Sequence, residues 1–163
     1  MRKEVTDALG RPVNSEYYAS EDGRGFVELS RASGLGSLTL EERNPMKATS
    51  YGTGQLIADC LERGLKRVNV LVGGSATNEG GIGCAGALGF TFLDRNGTEL
   101  EPTGENMVKL RRIGHRDPSL LQKIKETSIR VYTDVMSPLL SAHGCTHVYG
   151  PQKGATTHMI QLL

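Results

Sequence analysis

The chain has 163 residues, 37% hydrophobic and 5% aromatic content, and a formal net charge of +1. That length suits one domain with a real core, and the balanced charge gives no electrostatic pull towards nucleic acid or an anionic membrane. No apolar run approaches the roughly 20 residues that span a bilayer, the N-terminal MRKEVTDALG lacks the apolar stretch of a secretory signal, and Cys60, Cys84 and Cys145 lack CxxC spacing, which suits reduced thiols in a cytoplasmic protein.

Met1–Gly10 is polar and turns at Gly10-Arg11-Pro12. Asn14–Ala19 and Gly25–Ser30 read as two strands of an N-terminal hairpin, joined across Glu21–Gly25. Leu38–Arg43 reads as a short helix stopped by Asn44-Pro45. The next helix spans about Gly54–Arg63, with Ser50 or Thr53 as cap. Leu56, Ile57, Cys60 and Leu61 share one face of it, and Gly64 closes it. Lys66–Val72 is a strand. Gly80–Gly89 is a helix of small residues. Phe90–Leu93 is a strand ended by Asp94-Arg95-Asn96-Gly97, and Met107–Ile113 fits either type. Asp117-Pro118 opens a helix that turns Leu120, Leu121 and Ile124 inward. Ile129–Thr133 is a strand running into Asp134, and a last helix begins near Ala155.

Helices and strands alternate from residue 50 onward. The pattern predicts a single α/β domain over residues 1–163: a parallel sheet with crossover helices on both faces, plus the N-terminal hairpin. In such folds ligands bind at the carboxyl ends of the strands. The segment VLVGGSATNEGG (Val70–Gly81) runs from a strand straight into glycines, hydroxyls and one carboxylate. Glycines let the backbone turn and approach a ligand, and free amides at the next helix start face negative charge.

Three loops converge on that end: Gly73–Gly81, Asp134–Pro138 and Gly150–Gly154. They offer the amides of Gly73, Gly74, Gly80 and Gly81, the hydroxyls of Ser75 and Thr77, the amide of Asn78, the carboxylates of Glu79 and Asp134, and the ammonium of Lys153. Phosphoryl transfer needs donors around phosphate, a cation, a carboxylate for Mg2+ and a base for the attacking hydroxyl. Asp134 and Lys153 are the catalytic candidates, and Glu79 with Asp134 the metal candidates. Each also has a structural reading. Asp134 can cap a turn, Glu79 can complement a helix dipole, and Thr49 and Ser50 can be caps rather than ligand contacts. His143, Cys145 and His147 are spaced too tightly for a usual zinc site. Cys60 and Cys84 read as packing residues. No GxxxxGK[ST] motif occurs.

Three segments in order, Glu42–Ile57, Gly73–Gly89 and Thr133–Leu139 through Val148–Thr156, resemble the bacterial glycerate kinase family. The resemblance runs from the Gly10-Arg11-Pro12 region to the end. It implies a flavodoxin-like domain of an ATP-dependent, Mg2+-assisted kinase that phosphorylates D-glycerate at the 2-hydroxyl. It also implies a second domain whose APDSFKES-type and ADGGEG-type motifs have no counterpart here. The chain is therefore expected to be a fragment, inactive alone, with an apolar surface that invites self-association. Asn78-Glu79-Gly80-Gly81 stands where the family has Asn-Asp-Gly-Gly, and Ser137 stands where it has Asn. A non-catalytic anion-binding or assembly domain remains the alternative. A different α/β enzyme acting on a phosphorylated small molecule is a third reading.

Overall fold

The computed structural model describes all 163 residues. It opens with a hairpin that the sequence conceals. β1 (Arg2–Thr6) pairs antiparallel with β2 (Pro12–Glu16), placing Val5 opposite Val13. Val5 is the only fully buried residue of β1, so an alternating apolar pattern never forms. The turn is made by Asp7, whose carboxylate accepts the amides of Leu9 (2.8 Å) and Arg11 (3.0 Å). The expected strand Asn14–Ala19 is divided at Tyr17: only β3 (Tyr18–Ala19) pairs with β4 (Arg24–Glu28), again antiparallel. The one-turn helix α1 (Ser30–Ser33) follows. Leu38–Arg43 forms turns rather than a helix. Glu42 bends back to accept the Thr39 amide at 3.0 Å and the Arg11 guanidinium at 2.5 Å.

Helix α2 (Tyr51–Glu62) buries Leu56, Ile57, Cys60 and Leu61. Gly64 after it takes φ +76°, the left-handed conformation that closes a helix. Then come β5 (Arg67–Leu71), α3 (Ile82–Ala87), β6 (Phe90–Leu93), β7 (Arg112–His115), α4 (Pro118–Lys125), β8 (Ser128–Tyr132), α5 (Cys145–Tyr149) and α6 (Thr157–Leu162). The Asp117 side chain caps α4 by accepting the Leu120 amide at 2.9 Å. Leu120, Leu121 and Ile124 are half-buried.

The main sheet has the order β3-β4-β5-β8. β4, β5 and β8 are parallel, with Val27 beside Val70 and Val70 beside Val131. β6 does not join it. It pairs antiparallel with β7, and Phe90 meets His115 edge-on at 4.7 Å. The steps from β4 to β5 and from β5 to β8 run the same way across the sheet. Right-handed crossovers then place α2 and α4 on one face, not on both as expected. Val27, Val68 and Val70 pack there with Leu56, Ile57 and Leu61, joined by Leu120 and Ile124 of α4. Tyr18, Leu71 and Tyr132 project from the opposite face and stay exposed.

A buried polar cluster ties the hairpin to α2. Asp59 receives Tyr17 Oη at 2.6 Å, Arg63 Nε at 2.7 Å and Lys3 Nζ at 2.9 Å. Burial alone would raise the Asp59 carboxyl, but the hydrogen bonds from Tyr17, Arg63 and Lys3 outweigh it and hold the group at about 2 instead of 3.8. A depressed carboxyl adds stability above its unfolded value and loses it as the pH falls through its folded one. Asp59→Asn is therefore expected to cost about 2 kcal/mol at pH 7. It should also flatten the decline in stability between about pH 4 and pH 2. Urea unfolding across that range checks both; wild-type stability at pH 7 would show that the cluster does not hold the hairpin.

Candidate functional site

The carboxyl ends of β5 and β8 open onto one cavity of about 700 Å³. Its walls carry Gly73, Gly74, Ser75, Thr77, Glu79, Gly80, Gly81, Ser50, Asp134 and Lys153, over an apolar floor that includes Ile57, Val70 and Leu88. Ten of the twelve residues singled out from the sequence thus share one space, whereas Asn78 and Thr49 do not line it. Asn78 instead donates through Nδ2 to Thr146 Oγ1 at 3.0 Å, tying the loop to α5. Thr49 sits behind the wall, where its hydroxyl accepts the Tyr51 amide at 3.3 Å.

The glycine loop is held by the segment that follows β4. Leu35 donates its amide to Gly74 O at 2.8 Å, and Ala76 donates to Ser33 O at 3.0 Å. The end of α1 therefore acts as a short strand beside the loop. Gly74 takes φ +70°, where a Cβ is strained. The second half of the loop departs from the expected anion cradle. The Glu79 carboxylate accepts the amides of Gly81 (2.9 Å) and Gly83 (3.3 Å). The start of α3 is thus filled by the protein's own acid. A ligand is left the half around Gly73–Ser75.

Lys153 reaches that half from a different part of the chain. Its ammonium donates to Ser75 Oγ at 2.9 Å and to Thr77 O at 2.6 Å. Burial lowers its pKa from the ordinary lysine value, against the opposing pull of Cys145 and Glu79. It stands on a single 3-10 turn, Pro151–Lys153, closed by Gly154 at φ +86°. A Cβ at Gly154 would strike the Arg43 carbonyl oxygen. Arg43 also donates through Nη1 to Gln152 O at 3.1 Å. Arg43 and Leu35 are thus site-shaping residues that sequence reasoning missed. No local signal marks them, because each acts on a residue about 40 to 109 positions away.

Asp134 is exposed at the rim, with no hydrogen bond of its own to hold it as a cap. Its carboxylate is open to a ligand or cation. Mg2+ in phosphate sites keeps several waters and takes one or two carboxylates plus substrate oxygens. Asp134 fits that pattern. Glu79 does not, since both its oxygens are engaged within the fold. No cluster of three or more His, Cys, Asp or Glu residues capable of holding a metal is present. Of the two cavity-lining thiols, Cys84 and Cys145, burial pushes Cys84 up to about 12, which keeps it protonated and unsuited to act as a nucleophile.

These features define an α/β protein with a cavity at its strand ends, equipped with a glycine loop, a half-buried lysine and an open carboxylate. The chain belongs to the glycerate kinase family, whose model matches residues 1–163. Over 161 residues it is 41% identical to a glycerate kinase of Bacillus subtilis (strain 168), covering 98% of this chain and 41% of that protein. It is 42% identical over 159 residues to a glycerate 2-kinase of Escherichia coli (strain K12), covering 96% and 41%. A crystal structure from Salmonella typhimurium LT2, assigned as a glycerate kinase 2, superposes with a TM-score of 0.92 at 40% identity, covering 99% of this chain and 43% of that one. The chain thus spans about two-fifths of the length of the relatives it matches. No helix is long and apolar enough to cross a membrane.

Proposed function

We propose that the chain forms the phosphate-handling part of a kinase that transfers the γ-phosphoryl group of ATP to D-glycerate. The observation that carries this reading is the meeting of Lys153, the Gly73–Ser75 backbone and Asp134 around one cavity. Its volume of about 700 Å³ exceeds the needs of a three-carbon acid and leaves room for nucleotide phosphates. The acceptor is the 2-hydroxyl, in line with the name of the Escherichia coli relative. The run of three parallel strands supports a flavodoxin-like core that carries α2 and α4 on one face only. The remaining length of the relatives would supply a second domain as partner, and exposed apolar groups such as Met136, Leu139 and Leu140 suit that contact or a homo-oligomer. Three unpaired thiols suit a cytoplasmic site of action.

In this mechanism the glycerate hydroxyl forms a bond to the γ-phosphorus as the bond to the β–γ bridging oxygen breaks, leaving ADP. Asp134 accepts the hydroxyl proton; where it would hold the metal instead, the proton passes to solvent water. Lys153 and the loop amides balance charge on the phosphoryl oxygens. Mg2+, when bound beside Asp134, would neutralise the phosphates and orient them.

Calorimetry of the chain with Mg-ATP and with D-glycerate tests the reading. Binding of either ligand supports it. Binding of inorganic anions alone would favour a non-catalytic anion-binding domain. Lys153→Met is expected to weaken Mg-ATP binding by about 10-fold or more, on the scale of a lost charge-assisted contact. The melting temperature should barely move, because Lys153 is only half-buried and packs no core. A large loss of stability with unchanged affinity would make Lys153 a structural residue.

A further inference from the structure

Glu79 is the most deeply buried charged side chain, 2% exposed, and no lysine or arginine pairs with it. A carboxylate is kept in such a place only when hydrogen bonds replace its water. Here four donors do so. Oε1 receives the Ser50 amide at 2.9 Å, the Ser50 hydroxyl in a short bond, and the Gly83 amide at 3.3 Å. Oε2 receives the Gly81 amide at 2.9 Å. The Ser50 hydroxyl in turn accepts the Cys84 amide at 2.8 Å.

We infer that Glu79 is a positioning residue: its carboxylate clamps the glycine loop to the first turn of α2, and it is not a ligand of the metal. This rests on the kinase reading only for the consequence on ligand affinity. The second half of the loop, from Glu79 to Gly83, has little else to hold it. Gly81 has open space where a Cβ would be, and Gly80 meets only the Met107 methyl at 3.5 Å. Both take positive φ, +79° and +64°. Side-chain packing therefore does not fix this turn, and the carboxylate does. Gly83 is part of the same device. A Cβ there would strike the Thr49 hydroxyl and lie 2.6 Å from the Ser50 amide nitrogen and 2.9 Å from Glu79 Oε1. Only glycine lets α3 approach closely enough for the three segments to share one acid.

Glu79→Gln preserves the shape but presents an amide group to a set made only of donors. Hydrogen exchange at the Ser50, Gly81 and Gly83 amides should accelerate at least about 10-fold, while Val68 and Val70 in β5 keep their rates. Mg-ATP and metal-free ATP should lose affinity by the same factor, because the loop and not the metal is disturbed. Unchanged exchange at the three amides overturns the inference. So does a loss confined to Mg-ATP, which would make Glu79 a metal ligand. Should Glu79→Gln fail to fold, Ser50→Ala removes one arm of the clamp, and faster exchange at Gly83 and Cys84 is expected. Unchanged rates there also overturn it. If the wild-type chain binds neither ATP nor glycerate, the kinase reading fails, and the amide rates still decide the clamp.

Discussion

Asp134→Asn is expected to lower turnover at least about 100-fold, the usual scale of a general-base or metal-ligand loss, in a polypeptide that joins this segment to the remaining length of its relatives. The substitution keeps the size of the side chain and removes its charge. Asp134 stands at the end of β8, where the parallel strands deliver side chains to the cavity rim. It is exposed, so the fold does not depend on it and the melting temperature should not change. Both roles open to it need the charge. A neutral amide cannot take a proton from the glycerate hydroxyl and binds Mg2+ weakly. Glycerate-dependent ADP release is the measurement. A change of only a few-fold would reduce Asp134 to a turn residue and move the chemistry elsewhere in the cavity.

Gly52→Ala is expected to abolish cooperative folding. Gly52 lies in the first turn of α2, and a Cβ there would collide with the carbonyl oxygen of Thr6 in β1. It would also lie 2.9 Å from the Thr6 carbonyl carbon and 3.3 Å from the Ala32 methyl. The obstacles are backbone, which cannot rotate away. β1 cannot retreat either, because the Thr6 amide is bound to Gln55 Oε1 of the same helix at 2.8 Å. Overpacking a yielding core costs about 1–3 kcal/mol. Here the cost should exceed about 4 kcal/mol, most of the stability of an ordinary domain. Gly64→Ala is the control. Its added methyl meets open space, so it should cost only about 1 kcal/mol for the left-handed backbone. Urea denaturation followed by circular dichroism compares the two. A cooperative transition for Gly52→Ala near that of wild type would show that β1 is not held against α2 as described.

Local signals carried α2, β5, α4 and β8. Leu56, Ile57, Cys60 and Leu61 repeat at helical spacing, and Gly64 stops the turn that they begin. Asp117-Pro118 announces α4, and its cap bond is made as expected. These features lie within a few residues of one another, so short-range chemistry suffices to place them. β1 was not legible because its neighbours in sequence are charged, and only Val5 turns inward. Leu38–Arg43 misled because its helix-forming residues serve a turn that Glu42 closes through Thr39 and Arg11.

The sequence by itself determined the alternating α/β order, the glycine loop at the end of β5, and the three loops that supply the site. Tertiary structure alone decided which groups meet. Lys153 reaches Ser75 across 78 positions, and Ser50 reaches Glu79 across 29. It also decided that β6 leaves the main sheet for β7, and that α2 and α4 share a face. Periodicity reports which side of an element is buried, but not what lies against it. Strand partners and hydrogen-bond partners are chosen when distant segments pack, and a carboxylate such as Glu79 has the same local sequence whether it faces a metal or four donors of its own chain.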